Sequence, residues 1–289
     1  MERARPRGRA LSLWAFALAA GALASACARG ALHGDPVARL AHADAVAARG
    51  GLARGQIEAG GFVLTRYLRA APGAGRLVVY LDGDGDAWHR DRVRVRAQPP
   101  PFEPLALALA AADPAPAVAW LGRPCQLAPA DAAGCEPSLW SDRRFAEPVV
   151  AALDAAVGAL RREAGAARVE LVGFSGGGVL AALLAARRDD VAALVTVAAP
   201  LDLGAWLAHH GLGPVEAADP ARLTSERLDD VPQCHLLGER DAVVPPALLD
   251  GYRARRPRAR VEVVPGMDHA GWAEGWPARI QAIRAAGSR

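Results

Sequence analysis

The apolar positions of this chain change period repeatedly. Short, mostly apolar runs at 61–68, 76–81, 117–121, 169–173, 193–198, 234–238 and 261–264 alternate with longer Ala- and Leu-rich stretches at 104–112, 145–164, 176–187, 246–255 and 277–286. Unbroken apolar runs of this length suit strands buried on both faces, and the longer stretches suit helices. Strand and helix in alternation predict an α/β fold, a mostly parallel central sheet with helices on both faces. The first run is expected to pair antiparallel, as a hairpin with the next. Residues 201–231 break the rhythm with Pro214, Pro220 and two short helical pieces, and their expected role is a cap-like insertion over the sheet. Residues 27–55 have weak periodicity and read as a tether with a short helix at most, which puts the folded domain at 56–289. No internal repeat is evident, and 289 residues at 52% apolar give room for one large core.

Charge adds a compartment. The formal net charge is +3, from 34 basic and 31 acidic residues, and every basic one is Arg. Arg3, Arg5, Arg7 and Arg9 against Glu2 place that whole excess within residues 1–26, so the remaining 30 basic and 30 acidic residues balance. A nucleic-acid partner is therefore not indicated. A basic start, an uncharged stretch from Ala10 to Ala26 and small residues at Ala24-Ser25-Ala26 have the three-part layout of a secretory signal, too short for a spanning helix. Leu23-Ala24-Ser25-Ala26-Cys27 resembles a bacterial lipoprotein leader, displaced by one place because Leu usually stands where Ala24 does. Two outcomes stay open: lipidation of Cys27 and anchoring in the cell envelope, or cleavage after Ala26 and release as a soluble exported protein.

In such an oxidising compartment Cys125 and Cys135, ten apart in a Pro- and Gly-rich loop, suit a local disulfide. No His lies in that segment to support a zinc site. Cys234 opens an apolar run and is expected to be a buried thiol.

The chemistry concentrates at Gly173-Phe174-Ser175-Gly176-Gly177, between the run at 169–173 and the helical stretch that follows. A tight strand-to-helix turn needs residues without side chains, and it would lift Ser175 above the sheet at a helix N-terminus, where backbone N–H groups can stabilise an oxyanion. Two downstream loops, each after a strand, carry Asp241 in Gly238-Glu239-Arg240-Asp241-Ala242-Val243-Val244-Pro245 and His269 in Gly266-Met267-Asp268-His269. Loops at the C-terminal ends of parallel strands are where ligand-facing residues collect.

With Ser, Asp and His in that order, residues 60–285 resemble the α/β-hydrolase superfamily. The resemblance implies Ser175 as nucleophile, His269 as general base and then acid, and Asp241 as the group that fixes the imidazole tautomer. Asp202, after the preceding strand, is the alternative acid, with a helix cap as its other role. The resemblance also implies an oxyanion hole built from the N–H of Gly176 and a second N–H, from Gly83 or Asp84, in Leu81-Asp82-Gly83-Asp84-Gly85-Asp86-Ala87-Trp88. The spacing of Asp in that loop makes calcium a rival, but Ala87 and Val93 stand where a calcium loop needs Gly and Glu. His33, His42, His89, His209, His210 and His235 lack ligand spacing, so no metal is expected. Trp88, Trp206, Trp272 and Trp276 fall near the site loops, as pocket walls or as packing. No dinucleotide or phosphate-loop spacing occurs, and no cofactor is implied. The expected reaction is hydrolysis of an ester or related acyl bond in a small-molecule substrate. Acyl transfer and peptide cleavage by the same triad, or a non-catalytic binding role, are the alternatives.

Overall fold

The computed structural model describes residues 35–87, 94–97, 101–128 and 134–287. Within them the chain runs α1 (Pro36–Arg49), β1 (Ala53–Ala59), β2 (Phe62–Arg69), β3 (Arg76–Leu81), α2 (Leu105–Ala112), β4 (Val118–Leu121), α3 (Glu147–Glu163), β5 (Arg168–Phe174), α4 (Gly176–Arg187) and β6 (Val191–Val197). It continues through α5 (Leu203–His209), α6 (Glu226–Asp230), β7 (Gln233–Gly238), α7 (Asp250–Arg255), β8 (Arg260–Val264) and α8 (Trp276–Gly287). The strands form one sheet in the order β1-β2-β4-β3-β5-β6-β7-β8. From β4 onward neighbours are parallel, while β2 is antiparallel to both β1 and β4.

Two departures from the sequence reading lie at the N-terminal edge. Residues 36–59, divided there between a tether and the domain, form α1 and β1. Asp35 caps α1 by accepting from the N–H of Val37, and Ala43, Val46 and Ala47 bury its inner face. Their small side chains give little apolar contrast, so the period was hard to see. The first apolar run is antiparallel as expected, but its hairpin partner is β1, with Ala59 opposite Phe62, and β3 lies beyond β4. Gly60 and Gly61, both at positive φ, make that turn.

Alternation along the strands sorts the core into two layers. Leu77, Val79 and Leu81 of β3 face α3 and α4, whereas Val78 and Tyr80 face α1, α2 and α8. Helices thus cover both faces, and the central strands β3 and β5 are buried beyond their exposed first residues, Arg76 and Arg168, up to Leu81 and Gly173, as unbroken apolar runs require. Several polar groups inside this core are paired, whereas Trp272 Nε1 is buried without a partner among the described residues. His235 on β7 meets Thr196 at 2.8 Å and Gln233 at 3.1 Å, and burial pushes its imidazole down to about 3, so it packs as a neutral ring edge-on to Tyr252. Cys234 is a buried thiol, pushed up to about 11 by burial.

Candidate active site

The turn from β5 into α4 can be built only from small residues. A Cβ on Gly173 would stand 2.4 Å from the carbonyl oxygen of Gly177, and one on Gly177 would stand 2.3 Å from that of Leu81. Gly178 is equally tight against Ala199, at 2.4 Å. Ser175 takes the strained place between them, with φ 51° and ψ −124°, a region that non-glycine residues rarely occupy. Its N–H donates to the carbonyl of Val197 at 2.8 Å, and its carbonyl accepts from Gly178 at 2.9 Å. These bonds hold the hydroxyl at the start of α4, above the C-terminal ends of β5 and β6.

Asp241 and His269 come from the corresponding ends of β7 and β8. The N–H of Glu239 donates to Val264 at 3.1 Å and that of Arg240 to Met267 at 2.9 Å, which ties the two loops together. Asp241 is buried. Its Oδ1 accepts from the N–H groups of Val243 and Val244, both at 2.8 Å, and its Oδ2 lies 2.8 Å from Nδ1 of His269. A carboxylate can only accept, so this contact fixes a proton on Nδ1, and in the neutral tautomer so selected Nε2 is the acceptor. The His269 ring rests on Phe174, centroids 5.1 Å apart, and so borders the residue before Ser175. Among the described residues the Ser175 hydroxyl has no hydrogen-bond partner. Asp268 accepts from the N–H groups of Ala270 and Gly271, which lowers its carboxyl below the usual range and shapes the turn beyond His269.

The loop after β3 closes over the turn. A Cβ on Gly83 would stand 3.0 Å from the Ser175 Cβ, and one on Gly176 would stand 2.0 Å from Oδ1 of Asp84. The three Asp carboxylates of this loop diverge. Asp82 accepts from Trp120 Nε1 at 2.8 Å and from the N–H of Ala106 at 3.2 Å, at the start of α2; burial nevertheless raises it to about 6. Asp84 pairs with Arg123 at 2.6 Å and Arg144 at 2.7 Å. Burial alone would raise its carboxyl, but the two guanidiniums, Arg144 foremost, hold it below the usual range. Asp86 pairs with Arg96. Sequence reasoning missed Arg123 and Arg144, which reach this loop from 39 and 60 residues away. No local pattern announces such contacts.

Among the other sequence candidates, Asp202 caps α5 by accepting from the N–H of Ala205 at 3.0 Å, and His269 has Asp241 as its carboxylate partner. Segment 201–231 divides its contacts. Trp206 Nε1 and His210 Nε2 donate to the carbonyl of Val243 in the Asp241 loop at 2.7 and 2.8 Å, while Ser225, the cap of α6, donates to Ala186 at the end of α4. Trp272 and Trp276 are buried packing residues. Cys125 and Cys135 are bridged, with Cα atoms 5.6 Å apart. Cys27, His33, Trp88, His89, Val93 and the leader lie outside the described residues. A cavity of about 960 Å³ lies between α3, α4 and residues 216–230; Ser175, Asp241 and His269 are not among its lining residues.

Strand order, turn and loop placement define a known architecture, and solved structures agree. A serine hydrolase homologue from Coxiella burnetii superposes with TM-score 0.53 at 16% identity, over 81% of this chain and 96% of its own. The chain has the α/β-hydrolase fold. An esterase from Pyrococcus furiosus matches with TM-score 0.55 at 14% identity, over 81% of this chain and 92% of its own. A bacterial membrane phospholipase A matches with TM-score 0.54 at 18% identity, over 94% of this chain and 98% of its own. No family model matches the sequence, and a search of curated proteins finds no match. Identities this low carry the fold and no further, so the α/β-hydrolase reading of activity rests on the site itself.

Proposed function

We propose that the protein is an exported serine hydrolase that cleaves an ester or related acyl bond through an acyl-enzyme. The observation that carries this reading is the contact between Asp241 Oδ2 and His269 Nδ1, 2.8 Å, beside a strained Ser175 at a helix N-terminus. His269 Nε2 takes the Ser175 proton as Oγ attacks the acyl carbon, and returns it to the leaving oxygen. Water then repeats the sequence and frees the acid. The N–H of Gly176 and one from the loop of Gly83 and Asp84 receive the carbonyl oxygen as it becomes negative. Asp241 keeps the imidazole in the required tautomer. Asp241→Asn preserves shape but offers the wrong partner to Nδ1, and kcat on p-nitrophenyl esters is expected to fall on the order of 10⁴-fold with KM little changed. Turnover equal to wild type would remove Asp241 from the triad.

The disulfide supports the export half of the proposal, since such bonds persist in oxidising compartments. We place the protein in the cell envelope, anchored through lipid on Cys27. No described helix is long and apolar enough to cross a membrane. Metabolic labelling with palmitate tests the anchor: incorporation is expected in wild type and absent from Cys27→Ser, and equal labelling of both would refute it.

A further inference from the structure

We infer that Arg123, Arg144 and Gln126 are positioning residues that hold the N–H of Asp84 as the second oxyanion donor. The inference rests on the serine-hydrolase reading above and concerns how its oxyanion hole is built.

The choice between Gly83 and Asp84 follows from where their N–H groups go. Gly83 N–H is already engaged, donating to Asp82 Oδ1 at 3.2 Å. Among the described residues the N–H of Asp84 donates to none, and neither does that of Gly176, the first residue of α4. The peptide between Gly83 and Asp84 also has a set direction. Gln126 Nε2 donates to the Gly83 carbonyl at 3.3 Å, and in a planar trans peptide the N–H of the next residue points the opposite way. The Asp84 N–H is therefore turned away from Gln126. The Asp84 side chain lies against Gly176, its Oδ1 within 2.0 Å of where a Cβ would be, and a Cβ on Gly83 would stand 3.0 Å from that of Ser175, so the loop that carries the unengaged Asp84 N–H borders both Gly176 and Ser175.

A carboxylate in that place would oppose an oxyanion. Arg123 Nη1 donates to Oδ1 at 2.6 Å and Arg144 Nε to Oδ2 at 2.7 Å, so the three side chains together carry +1 beside the site, not −1. Both guanidiniums are almost wholly buried and lie over the Phe145 ring, at 5.6 and 4.7 Å from its centroid, which fixes their planes. Arg123 and Gln126 belong to one short loop. Arg123 N–H donates to Gln126 Oε1 at 3.1 Å, and between them Cys125, at φ 71°, is bridged to Cys135. Thr65 accepts from Gly122 N–H and donates to the Leu127 carbonyl, both at 2.8 Å, closing the loop onto β2. Asp84 is thus a handle: its side chain is gripped so that its N–H faces the reacting oxygen.

The test compares wild type with Arg123→Gln, Arg144→Gln and Gln126→Met, using p-nitrophenyl esters and an alkyl boronic acid that mimics the tetrahedral adduct. Active sites are counted by stoichiometric phosphonylation of Ser175, so misfolded molecules do not enter kcat. A displaced or negatively biased donor is expected to lower kcat by about 10- to 100-fold, leave KM within about threefold and weaken the boronate Ki by the same factor as kcat. Arg144→Lys, which keeps the charge, is expected to recover part of both. Variants with wild-type kcat and boronate Ki, or with a change in KM alone, would overturn the inference. Gln126→Met changes no charge and little volume, so it carries the test if the Arg variants do not fold. Wild type without Ser175-dependent turnover would instead refute the hydrolase reading itself, a separate outcome.

Discussion

Ser175→Ala is expected to lower kcat for ester hydrolysis by a factor on the order of 10⁶ while leaving the fold intact. The nucleophile makes no hydrogen bond that the fold needs. What places it is the backbone: the donation to Val197, the acceptance from Gly178 and the glycines around them. Alanine keeps the backbone, and its cost at φ 51° is one that Ser175 already bears. Ester hydrolysis by the purified variant, read with unchanged circular dichroism, checks both halves. Activity retained within tenfold would mean that another group attacks the substrate.

The largest effect on stability is expected at the opposite end of the sheet. Arg284 on α8 donates to Asp113 at 2.8 and 2.7 Å and to Glu170 at 2.9 and 3.0 Å; the Asp113 and Glu170 side chains are 0% and 1% exposed. Tyr80 OH donates to Asp113 at 2.6 Å and accepts from Trp276 Nε1 at 3.0 Å, which joins α8 to β3 as well. Arg284→Met keeps most of the stem but leaves the buried Asp113 carboxylate without a cation and Glu170 with Arg76 alone, at 3.4 Å, a loss of about 3–5 kcal/mol. For a chain of this size that is a fall in Tm of roughly 10 °C. Burial by itself would raise the Asp113 carboxyl, but Arg284 holds it below the usual range. A depressed carboxyl contributes stability that is present above its unfolded pKa and is lost as pH falls through the folded one. In Arg284→Met that contribution is absent, so the gap between wild type and variant is expected to be full at neutral pH and to narrow below about pH 4. Urea midpoints across pH 3–7 measure this; a gap that is constant with pH would contradict the electrostatic account.

What could be read from sequence was what local geometry demands. The turn at Ser175 was legible because no residue but glycine fits at 173 and 177, and because a strand and a helix flank it. Asp241 and His269 were legible because each stands in a loop just after an apolar strand run, β7 buried and β8 at the sheet edge. Strand order was not: the apolar run at 76–81 cannot show that β4 inserts between it and β2. The helix Pro36–Arg49 was obscured by alanine, which is as compatible with a tether as with a packed face. The grip on Asp84 was invisible because Arg123 and Arg144 are distant in sequence and resemble any other Arg in a chain that has no Lys. Asp82 looked like one of three candidate ligands, and only its contacts with Trp120 and Ala106 show that it fastens the loop to α2.

The proposed reaction passes through a covalent acyl intermediate on Ser175. Mixing wild type with excess p-nitrophenyl ester, quenching in acid within the first turnover and sequencing the proteolytic peptides by mass spectrometry tests it directly. The acyl mass is expected on Ser175 in wild type and is expected to disappear in Ser175→Ala. Turnover with no acyl adduct at Ser175, or an adduct on another residue, would contradict it.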